Sequence, residues 1–116
     1  MPIAAADHVI AIATPLERVH VERIADALPQ GAKLFYEPEL LPPTRYEADH
    51  KGQESFVRTP AQQARWEAML ARATILWDFP RRTVSGPLEL ALAPGAVWIQ
   101  TTSSGVGKAV HDLGLA

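Results

Sequence analysis

An α/β domain built on one parallel sheet, with helices on both faces, is predicted by three features of this 116-residue sequence. Short, continuous apolar runs of strand length alternate with stretches of helical spacing. The helix-start pattern Thr-Pro-x-Glu/Gln occurs twice, as "TPLE" at 14–17 and "TPAQ" at 59–62. Hydrophobic residues make up 47% of the chain against 21% charged, spread evenly, which suits one domain with one buried core.

The elements follow in order. "VIAIA" at 9–13 has the pattern of a strand buried on both faces. Thr14 is the expected N-cap of the next helix, with Pro15 at its first position and Glu17 closing a capping box. Leu16, Val19, Ile24, Ala27 and Leu28 would form its apolar face, and "PQG" at 29–31 would stop it. A second strand is expected over 33–37. Residues 37–58 then form a long loop rich in proline and charge, a composition typical of lids, interface arms or disordered segments. Within it the pair Asp49-His50 reads as solvated.

Thr59, Pro60 and Gln62 open the second helix, and Trp66, Met69, Leu70 and Ala73 recur at i, i+3, i+4 and i+7 on one face. A third strand is expected over 74–80, a short helix over 86–93 and a fourth strand over 96–100. A last helix is expected over 106–113, with Gly114 as its C-cap. Parallel α/β sheets bind ligands at the carboxyl ends of their strands, and segments 14–15, 78–82 and 101–107 should meet there.

Composition removes several classes of function. The formal net charge is −2 and the Lys and Arg residues are scattered, so no nucleic-acid partner is expected. With no cysteine there is no disulfide, thiolate nucleophile or Cys-bound zinc. The N-terminal stretch lacks the basic region of a signal peptide and no run reaches membrane-spanning length, so a cytoplasmic location without membrane attachment is expected. His8, His20, His50 and His111 show no metal-ligand spacing and read as bystanders. Ser103 and Ser104 are not in a G-x-S-x-G elbow.

"TTSSGVGKAV" at 101–110 leaves three readings for its turn: a phosphate loop, an anchor for a small carboxylate, or a plain strand-to-helix corner. The dinucleotide fingerprint G-x-G-x-x-G would need glycine where Val110 stands and an acidic residue some twenty positions on, past Ala116. A P-loop would need glycine at Thr102 and a hydroxyl at Ala109. Asp78 with Thr101 or Thr102 matches the acceptor and switch hydroxyl of a receiver-like signalling domain. Thr14-Pro15 stands where that domain needs a magnesium-binding acidic cluster. Backbone amides at a helix N-terminus favour a carboxylate or phosphate, and glycine lets the ligand approach closely. Arg81 and Arg82 either attract an anionic substrate or form a polar surface turn.

"LAPGAVWIQTTSSGVGKAVHDLGL" at 92–115 and "ATILWDFPRRTV" at 73–84 resemble the D-isomer-specific 2-hydroxyacid dehydrogenases, including the glyoxylate/hydroxypyruvate reductase and phosphoglycerate-dehydrogenase-like members. The resemblance covers nearly the whole chain and is specific over some fifteen residues of the final segment. It implies a flavodoxin-like three-layer sandwich in which residues 1–116 are the substrate-binding domain. The substrate would be a small 2-keto or 2-hydroxy acid, held by Ser103, Ser104, Gly105 and Val106, with Phe79, Pro80 and Arg81 lining the same cleft. NAD or NADP and the catalytic residues would belong to a separate Rossmann domain, so these residues alone are expected to bind no cofactor and to be inactive, as a fragment or a truncated product. Without that family's returning C-terminal segment an apolar face is left for self-association, and a noncatalytic binding or assembly module is the alternative reading.

Overall fold

The computed structural model describes residues 8–102. Four strands, β1 (Val9–Ile12), β2 (Lys33–Phe35), β3 (Ile75–Trp77) and β4 (Trp98–Gln100), pair in the order β2-β1-β3-β4, all parallel. Between them lie helices α1 (Arg18–Ala27) and α2 (Pro60–Arg72) and two single 3-10 turns, Pro38–Leu40 and Leu90–Leu92. From β1 the chain steps outward to β2, then crosses back over β1 to β3. Right-handed crossovers in opposite directions put α1 and α2 on opposite faces of the sheet. β1 registers this directly, since Ile10, Ala11, Ile12 and Ala13 are all buried although their side chains alternate between faces. This is the parallel α/β architecture expected from the alternation of elements, in the flavodoxin-like form that the resemblance implied.

α2 forms as its sequence dictates. The Thr59 hydroxyl accepts from the Gln62 N–H at 3.2 Å and the Gln62 side chain accepts from the Thr59 N–H at 2.9 Å, a complete capping box with Pro60 in the first turn. Trp66, Met69, Leu70 and Ala73 are all buried in the core with Ile12 and Leu76. Full burial of side chains the size of Met69, Leu70, Ile12 and Leu76 stabilises by about 1.5–3 kcal/mol each.

α1 departs from expectation. It begins at Arg18 with Glu17 as an N-cap that makes no side-chain cap bond, so Thr14 does not cap it and the predicted box is absent. Residues 14–17 are committed to distant partners instead. The Thr14 hydroxyl points to Asp78, the Leu16 carbonyl accepts from the Tyr36 hydroxyl at 3.1 Å, and the Glu17 carboxylate accepts from the Ala48 N–H at 2.7 Å. The later start rotates the buried stripe onto Val21, and Val19 is left 54% exposed.

Three further boundaries differ. β2 stops at Phe35 because Glu37 turns to pair with Arg65. β3 stops at Trp77 because Asp78 has a left-handed backbone, φ 68. The helix expected over 86–93 is reduced to the turn Leu90–Leu92, because Leu88 is bridged antiparallel to Arg81 and the Glu89 N–H donates to the Pro80 carbonyl at 2.9 Å. The helix expected over 106–113 and its Gly114 cap lie outside the described residues.

The loop 37–58 is a packed part of the domain. Leu40 and Leu41 join the core. Asp49, expected to be solvated, is 3% exposed and organises the loop. Its carboxylate accepts from the Arg45 side chain at 2.9 and 3.1 Å, from the Arg45 N–H at 3.0 Å and from the Lys51 N–H at 3.1 Å. Gly52, at φ 87, lies so close to Pro42 that a Cβ would sit 2.3 Å from the proline Cβ.

Candidate functional site

A cleft of about 360 Å³ opens at the carboxyl ends of β1 and β3. This is the switch point of the sheet, where the chain leaves β1 towards one edge and β3 towards the other, and where open α/β sheets place ligands. Ala13, Thr14 and Pro15 follow β1 into it, and Asp78, Phe79 and the 81–85 segment follow β3. The loop 37–58 supplies the opposite wall through Pro42, His50, Lys51, Glu54, Phe56 and Arg58. Ser85 donates to the Glu54 carboxylate at 3.1 Å and so ties the two walls together.

Asp78 gathers the strand ends. Its left-handed backbone, which Asp tolerates better than most residues, turns the chain sharply out of the sheet. Its N–H donates to the Gln100 carbonyl at 2.7 Å, and its Oδ1 accepts from the Phe79 N–H at 2.9 Å. Its Oδ2 accepts from the Thr102 hydroxyl and, at a long 3.5 Å, from the Thr14 hydroxyl. One buried carboxylate therefore joins the ends of β1, β3 and β4.

Arg58 performs the same service for the loops. It is 9% exposed, its Nε donates to the Leu40 carbonyl at 2.8 Å, and its Nη1 donates to the carbonyls of Arg81 and Arg82 at 3.0 and 3.1 Å. The guanidinium lies 3.7 Å from the centre of the Trp66 ring, a close cation-π contact. Burial lowers its pKa to about 10, with the Glu89 carboxylate opposing the shift and Arg82 adding to it, so it stays charged at neutral pH. Glu89 in turn accepts from the Trp66 indole N–H at 3.0 Å and from Gln63 at 3.1 Å.

Of the residues singled out in the sequence, Phe79 and Arg81 line the cleft. Pro80 does not, because it is fully buried beneath it. Ser103, Ser104, Gly105 and Val106 lie outside the described residues, which end at Thr102 beside Asp78. His8 is held by Thr74 at 3.0 Å, His20 is exposed on α1, and His50 is half-buried at the cleft. Among the described residues no group of three or more His, Asp or Glu side chains could hold a metal ion. Sequence reasoning missed Arg58 and Lys51. A lone arginine before a Thr-Pro helix start carries no local signal of its partners at 40, 81 and 82.

Fold and cleft together define an α/β domain of flavodoxin-like strand order with a cleft of mixed apolar and charged lining at its switch point. No protein-family model, no curated protein and no solved structure matches this chain. Among the described residues no helix is long and apolar enough to cross a membrane.

Proposed function

We propose that this chain is the substrate-binding lobe of an NAD(P)-dependent D-2-hydroxyacid dehydrogenase, which reduces a 2-keto acid with hydride from a nicotinamide. The observation that carries this reading is the bond between Thr102 and Asp78. It brings the chain to the rim of the cleft one residue before "SSGVG", the segment whose resemblance to the dehydrogenases is most specific. The resemblance implies that the main-chain amides of Ser104, Gly105 and Val106 hold the substrate carboxylate. Arg81 and the other cationic groups lining the cleft favour an anionic ligand over a neutral one.

In this reading the lobe binds and orients the acid, and a dinucleotide-binding lobe supplies the hydride and the acid/base groups. Val97 and Trp98, more than 60% exposed at the β4 edge among the described residues, offer apolar surface for such a partner lobe. Titration of glyoxylate or hydroxypyruvate into the isotope-labelled chain tests the reading. Saturable shifts of the Ser104, Gly105 and Val106 amides are expected, and unchanged amides there would count against it.

A further inference from the structure

The guanidinium of Arg58 is buried and feels the Glu89 carboxylate only at a distance. Among the described residues no carboxylate lies within ion-pair distance of it, the ion pairs there being Arg45 with Asp49 and Arg65 with Glu37 and Glu39. Its Nε and Nη1 are spent on three backbone carbonyls, while Nη2 makes no hydrogen bond among the described residues. Trp66 covers the guanidinium closely, Phe56 lies 5.6 Å away at the cleft, and Arg58 itself lines that cleft. Glu89 offsets the burial of this cation only at a distance, and an anion bound directly against it would relieve more of the cost.

The surroundings point the same way. Lys51 and Arg82 also line the cleft, and among the described residues neither side chain makes a hydrogen bond or ion pair. The two carboxylates lining it are already engaged, Glu54 by Ser85 and Asp78 by Thr14, Thr102 and the Phe79 N–H. Four Lys and Arg side chains thus face two committed carboxylates across about 360 Å³, near the lower end of small-molecule sites. An anchor at 104–106 accounts for one anionic group of a ligand and leaves this wall without one.

We infer that Arg58, flanked by Lys51 and Arg82, forms a second anion position in the cleft, which takes the distal carboxylate of a small dicarboxylic 2-keto acid. The inference rests on the dehydrogenase reading for the near end of the ligand. The loop 37–58 is then the element that selects the substrate's tail, because it contributes both Lys51 and Arg58.

The test compares acids of equal length with and without the second carboxylate: 2-oxoglutarate against 2-oxopentanoate, and oxaloacetate against 2-oxobutanoate. Affinity is measured by amide shifts, together with the Nε–H signal of Arg58. In at least one pair the dicarboxylate should bind about tenfold tighter or better, as a hydrogen bond to a charged group allows. It should move the Arg58 signal, and its advantage should fall severalfold in Lys51→Gln and Arg82→Gln, which leave the carbonyl bonds of Arg58 intact. Equal affinities within both pairs would overturn the second position and leave the dehydrogenase reading standing. A preference that persists in both variants with no movement of Arg58 would overturn it too. Shifts at Arg58 without shifts at 104–106 would uphold the anion position and remove the dehydrogenase reading, whereas no binding by any of the acids would remove both.

Discussion

Two side chains carry much of the site's organisation, and each is a charged group taken out of water. Asp78 spends its carboxylate on hydroxyls from β1 and β4 and on the next N–H of its own chain. Arg58 spends two of its nitrogens on carbonyls from two separate loops. Asp49 works at a smaller radius, closing the 45–51 turn on itself. The Arg45 guanidinium beside it, followed by backbone N–H groups, holds its carboxyl below the usual carboxylate range. Since the folded pKa lies below the unfolded value of about 3.9, the stabilisation is fully present above about pH 4 and is lost as pH falls towards the folded value. Urea unfolding of the wild type and Asp49→Asn across pH 7 to 2.5 checks the sign. The stability gap between them should be constant near neutrality and narrow below about pH 4. A gap that widens on acidification would refute the assignment.

At the scale of elements, the two helices separate what is local from what is not. α2 was legible because its cap, its first-turn proline and its apolar stripe all lie within fifteen residues of one another. α1 presented the same opening pattern but starts three residues later, since Thr14, Leu16 and Glu17 are claimed by residues 78, 36 and 48. Thr59→Ala should therefore destabilise the fold by about 1 kcal/mol. Thr14→Ala should leave the amide-exchange protection of α1 unchanged, because no cap is lost. Loss of protection in the first turn of α1 would restore the capping role to Thr14. The loop 37–58 was illegible for a related reason. Its burial depends on Arg65 reaching Glu37 and Glu39, on Arg58 reaching Leu40, and on Gly52 fitting against Pro42, and none of these has a sequence period. Of the cleft residues, Phe79 and Arg81 could be found from the strand end that precedes them. Arg58 and Lys51 could not, because the loop carrying them looked like solvent-exposed chain.

For the molecule as a whole, the parallel strand order opens a cleft at the switch point, where open α/β sheets place ligands, and Lys51, Arg58, Arg81 and Arg82 line it. The proposed dehydrogenase reading rests on the resemblance carried by "SSGVG", and the Thr102 to Asp78 bond holds the last described residue beside the cleft. A crystal structure of the chain grown with hydroxypyruvate tests that claim most directly. The account predicts the ligand carboxylate within hydrogen-bond distance of the Ser104 to Val106 amides, between the ends of β1 and β3. A carboxylate bound away from those amides, or a cleft that stays empty at saturating acid, would contradict it.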